Sequence, residues 1–107
     1  MAQRVGSFGY EFPITVVGRG DLSQKDLRVV FTRPDGSSFD RTTVDGDVTI
    51  TTPGEKETVL GVNVKDGDWS MVGEYKYQVW DESDDAVIKG GTQYLYVGES
   101  LELPTVP

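Results

Sequence analysis

The side chains best placed for chemistry in this sequence are its turn carboxylates and its aromatic rings. Asp45-Gly46-Asp47, Asp66-Gly67-Asp68 and Asp81-Glu82-Ser83-Asp84-Asp85 gather acids within a few residues of each other. Calcium favours such oxygens. None of the three completes an Asp-x-Asp-x-Asp-Gly loop with its distal glutamate. Aspartate and glycine are also what tight turns require on their own account, so no metal site is assigned. A carboxylate pair is equally the equipment of glycoside hydrolysis. Each acid here falls in a turn or on an exposed strand face, and 107 residues leave little room for a deep cleft. A non-enzymatic protein without a cofactor is expected. Trp69, Trp80, Tyr94 and Tyr96 offer enough ring surface for a sugar-binding platform, which makes glycan binding the rival to a protein-contact role.

Composition narrows the chemistry further. The chain has no histidine and no cysteine. That removes histidine acid–base pairs, Ser-His-Asp triads, thiol nucleophiles, disulfides and the usual zinc sites. The net charge of -8 argues against nucleic acid and anionic membranes as partners. Residues 1–41 carry 6 bases and 5 acids, residues 42–107 carry 4 bases and 13 acids. An acidic face over the second half is expected, either a solubilising surface or one that meets a basic partner. No apolar run approaches the ~20 residues of a membrane helix, and no secretory leader is read at Met1 to Arg4.

These residues must be held by strands, because apolar side chains recur at every second position. Phe8, Tyr10, Phe12, Ile14 and Val16 alternate, with Tyr10 to Val17 as the first strand. Leu27, Val29 and Phe31 follow. Pro34-Asp35-Gly36-Ser37 forms a tight turn, with proline presetting φ and glycine supplying φ > 0, and Phe39 to Val44 return. Asp45-Gly46 is a second hairpin signal before Val48 and Ile50. Thr58, Leu60, Val62 and Val64 alternate next. Asp68 to Val72 is too short for a helix and reads as one turn or a loop. Glu74 to Trp80 alternate cleanly, with Tyr75, Tyr77 and Val79 on one face. A long last strand, Val87 to Val97, bends at Gly90-Gly91. Seven to eight short strands with turns between them predict an all-β, antiparallel immunoglobulin-like β-sandwich. The expected organisation is an N-terminal arm over 1–9, a sandwich over 10–98 and a C-terminal tail over 99–107.

Gly73-Glu74-Tyr75-Lys76-Tyr77 carries a finer signal. In immunoglobulin-type sandwiches a tyrosine near the start of the sixth strand ties back to upstream backbone through its hydroxyl. Tyr75 is read as that residue, against the simpler reading of one more core aromatic.

Several motifs then line up in order: Asp21-Leu22-Ser23, Leu27-Arg28-Val29-Val30-Phe31, Arg33-Pro34-Asp35-Gly36, Gly73-Glu74-Tyr75 with Gln78-Val79, and Tyr96-Val97-Gly98. Over residues 10–98 this skeleton resembles the immunoglobulin-like β-sandwich of tailed-phage virion proteins, and is similar to the N-terminal domain of phage baseplate upper proteins. The resemblance implies a structural role in a virion assembled in the host cytoplasm. A free-standing domain fits capsid decoration or a head accessory first, and a tail or baseplate accessory second. Capsid or tail subunits are then the expected partners, with a homo-oligomer possible. Contact residues expected on this reading are Phe8, Tyr10, Trp80, Tyr94, Tyr96, Leu101 and Leu103, while Pro34, Asp35, Gly36, Gly73 and Tyr75 are structural. Leu101 and Leu103, one residue apart in the tail, suit strand addition to a neighbour's sheet edge. A host-surface or glycan-binding module is the alternative.

Overall fold

A computed structural model describes residues 3–17, 26–52, 57–81, 86–87 and 92–99. These residues form nine strands and no helix: β1 (Gln3–Arg4), β2 (Glu11–Val17), β3 (Leu27–Thr32), β4 (Ser38–Thr42), β5 (Val48–Thr52), β6 (Glu57–Asn63), β7 (Gly73–Asp81), β8 (Ala86–Val87) and β9 (Gln93–Gly98). The larger sheet runs β1-β9-β7-β3-β4, with β8 also on β7, and the smaller runs β2-β6-β5. Pairing is antiparallel except for β1 on β9. The two sheets make a β-sandwich-like fold in which the larger one curls into a half-barrel.

The alternation read from the sequence decides which way each strand faces. Phe12, Ile14 and Val16 of β2 sit opposite Val62, Leu60 and Thr58 of β6 and are buried with them. Leu27, Val29 and Phe31 of β3 meet Asp81, Val79 and Tyr77 of β7. The outward positions of β7 are Glu74, Lys76, Gln78 and Trp80. Trp69 lies at the centre of the core, 1% exposed, with edge-on rings at Phe12, Phe31, Phe39 and Tyr75. Edge-to-face pairs of this kind add to the stabilisation from apolar burial.

One turn and one strand differ from expectation. Asp45-Gly46 does not close a hairpin. β4 belongs to the larger sheet and β5 to the smaller, so this turn carries the chain across the core, with Gly46 at φ 79°. The signal specifies a reversal of backbone, and side-chain burial on either side decides the sheet. The long last strand is divided into β8 and β9. Trp80 pairs with Val87 and Tyr77 with Gln93, so three steps along β7 take six along the returning chain. The glycines read as a bend there lie outside the described residues, as do Asp21-Leu22-Ser23 and the tail from Ser100 onward.

Candidate functional site

The motifs assigned structural roles come together at one end of the fold. Asp35 accepts bonds from the Ser37 backbone at 2.9 Å and the Ser37 hydroxyl at 2.6 Å. Those two bonds, the hydroxyl's first, hold its carboxyl below the usual aspartate range. Gly36 turns the chain at φ 90°. Pro34 packs on Gly73: a Cβ there would lie 2.8 Å from the Pro34 ring, and Gly73 takes φ +141°. Only glycine tolerates both conditions. Two residues on, the Tyr75 hydroxyl donates to the Met71 carbonyl at 3.2 Å, and the Met71 N–H donates to it at 3.3 Å. This is the upstream backbone tie that the sequence reading of Tyr75 called for.

A polar latch missed by the sequence reading ties β4 and the turn before it to the loop between β6 and β7. Arg41 points inward and pairs with Asp68, which also accepts the Lys65 N–H at 2.7 Å. Arg33 donates to the carbonyls of Asp68 and Gly67, each at 3.2 Å. Both guanidinium groups lie over the Phe39 ring, at 4.6 and 5.0 Å. Lys65 holds Asp47 at 2.7 Å. The carboxylates that suited calcium are therefore engaged with cations or backbone at Asp47 and Asp68. Among the described residues no three acids converge as a metal site. Of the third acidic cluster, only Asp81 belongs to the described residues, and it is buried at the end of β7.

The other side of the molecule is open. β1 covers the outer edge of β9 only at Val97 and Gly98, leaving Gln93 to Tyr96 without a strand partner on that edge among the described residues. Facing that edge is β2, paired on one side only. Between them runs a groove of about 730 Å³ lined by Tyr10, Phe12, Pro13, Tyr94, Leu95 and Tyr96, together with the polar Gln3, Arg4 and Glu11. Tyr94 and Tyr96 point outward and are 57% and 54% exposed. Gly98 leaves room for Arg4: a Cβ on Gly98 would lie 3.0 Å from the Arg4 guanidinium and 3.6 Å from the Tyr96 ring. Arg4 is exposed.

The expected contact residues do not gather on one surface. Tyr94 and Tyr96 share the groove. Phe8 is exposed in the turn after β1, where Gly6 donates to the Trp69 carbonyl and Gly9 to the Val64 carbonyl. Trp80 is half-buried on the outer face of β7, opposite Arg28. Tyr10 looks inward: its hydroxyl donates to Gln3, accepts the Trp69 indole N–H at 2.7 Å and lies 3.1 Å from the Ser7 hydroxyl. That hub fastens the segment read as an arm, and β1 joins the larger sheet. Leu101 and Leu103 lie outside the described residues. Trp69 leaves the sugar-platform set, because its ring is core. Arg4 and Pro13 were not singled out, although a proline inside an alternating run is a recognised mark of an edge strand.

No family model matches the chain, and neither a curated protein nor a solved structure matches it.

Proposed function

We propose that this protein is an immunoglobulin-like, non-enzymatic virion component that works through protein–protein contacts at the β9 edge. The observation that carries the contact role is a stretch of β9 with no strand partner on its outer edge among the described residues, beside two exposed tyrosines and an apolar groove. Unpaired backbone groups beside aromatic rings bind extended protein segments, with ladder bonds for affinity and side-chain pockets for choice. The immunoglobulin-like reading is supported by strand order. β2, β6 and β5 follow the B-E-D arrangement, and β9, β7, β3 and β4 follow G-F-C-C′. The Tyr75 tie falls at the start of β7, the F position. The phage setting, with capsid decoration ahead of a tail or baseplate accessory, comes from the resemblance carried by Pro34-Asp35-Gly36 and Gly73-Glu74-Tyr75.

Tyr94 and Tyr96 also favour a second reading, a glycan platform beside the polar residues of the groove. Two measurements divide the readings. Light scattering after size-exclusion chromatography, over a range of concentrations, is expected to give a discrete oligomer that Tyr94→Lys/Tyr96→Lys reduces to monomer. Titration with an oligosaccharide panel is expected to leave tryptophan emission unchanged. A monomer at every concentration together with saturable quenching overturns the contact role in favour of the glycan module.

A further inference from the structure

Among the described strands longer than two residues four edges are open, and three of them carry a guard against strand addition. β2 has Pro13, which has no N–H to offer. β4 carries Asp40 and the inward-pointing Arg41. β5 has a bulge between Ile50 and Thr52. The Gln93 to Tyr96 stretch has no proline, no charge and no bulge, and its register on β7 is unbroken. Its outer neighbours are two cations, Arg4 and Lys76, and one acid, Glu74, in a protein of net charge -8.

We infer that this edge receives the segment Ser100 to Pro104 from a second copy of the chain, as an added strand. The inference rests on the contact role proposed for the same site. The segment is Ser-Leu-Glu-Leu-Pro, which matches the groove position by position. Alternation places Leu101 and Leu103 on the inner side, over Leu95 and Phe12, where the slot between the sheets is open. Glu102 then falls on the outer side, where Arg4 and Lys76 outnumber the one acid, Glu74. Pro104 ends the pairing. Eight residues follow Glu99, roughly 26 Å of extended chain, against roughly 13 Å of open β9 edge. Within one copy, β1 stands between the end of β9 and the open stretch. β1 lies on the outer edge of Val97 and Gly98, and the Val5 N–H bonds the Gly98 carbonyl. To reach the edge of its own β9, the tail would have to turn back around β1. The tail of a second copy meets no such obstacle, and a reciprocal exchange closes a two-fold dimer.

The test mixes two full-length variants. Leu101→Asp/Leu103→Asp keeps the edge and loses the tail; Tyr94→Lys/Tyr96→Lys does the reverse. The wild type is expected to dimerise. Each variant alone is expected to be monomeric, with dimerisation weakened at least about tenfold. Their mixture is expected to form a 1:1 complex through the one intact tail–edge contact. An excess of a peptide spanning Glu99 to Pro107 should dissociate the wild-type dimer, which needs no variant to fold. A tail variant that keeps the wild-type mass overturns the tail as occupant in favour of direct β9–β9 pairing, and leaves the contact role standing. An edge variant that keeps it overturns both. A wild type that is monomeric and does not bind the peptide overturns the inference, and the oligosaccharide titration then decides the contact role.

Discussion

The β4–β5 side and the β9–β2 side of this sandwich use the same strand chemistry to opposite ends. On the first, Arg41 and Asp68 tie β4 to the β6–β7 loop largely out of water, Arg33 and Arg41 lie over Phe39, and the β4 and β5 edges are disrupted by charge or bulge. On the second, an apolar groove stays open and tyrosines stand beside a regular, uncharged edge. Polar groups placed inward close a sandwich, and aromatic rings placed outward leave it ready for a partner.

Substitutions sharpen this contrast in descending order. Asp68→Ala should cost about 3–5 kcal/mol in urea unfolding, because it leaves the Arg41 guanidinium buried without its counter-charge. Its Nε already lacks a partner. A loss below about 1 kcal/mol would mean the latch does not hold the β6–β7 loop to β4. Gly73→Ala should cost about 1–3 kcal/mol through its positive φ and the Pro34 ring, read as a lowered melting temperature. Tyr75→Phe should cost about 1 kcal/mol, the scale of a lost hydroxyl tie to Met71. Tyr94→Ser/Tyr96→Ser on the open side should change stability by less than about 0.5 kcal/mol while weakening self-association.

The smallest effect is a pH dependence on the closed side. Lys65, bonded to Asp47, holds that carboxyl below the ordinary aspartate value. A depressed folded pKa contributes stability above the unfolded value near ~4, and that contribution is lost as the pH falls through the folded one. Lys65→Met should therefore flatten the acid limb of stability, and NMR titration should show the Asp47 carboxyl moving back up.

The legibility of the sequence followed the periodicity of its residues. β3, β6 and β7 were readable because one side of each strand is buried and the register of two leaves no choice of face. The Asp45-Gly46 reversal was readable as a turn, but its destination was not, since local chemistry is the same for a hairpin and a crossing between sheets. Pro34, Gly73 and Tyr75 were each recognisable as punctuation. That the Pro34 ring rests on Gly73 depends on a fold that brings residues far apart in sequence together. Tyr94 and Tyr96 were found as exposed aromatics in an alternating strand. Trp69 was misplaced because it sits in a loop without period, where nothing local distinguishes a core ring from a platform. Arg4 was invisible for a similar reason: its place beside Tyr96 is set by β1 pairing with β9.

That parallel pair ties the beginning of the described chain to its last strand. Closure of the larger sheet must therefore wait until the ribosome has delivered Val97, and every earlier nascent chain leaves the edge of β7 uncovered from Gly73 to Tyr77. Trp69 emerges well before β9. Its indole bond to Tyr10 can moor Gln3 near its eventual berth while the closing strand is still being made. The hub is then a device of timing as well as of packing.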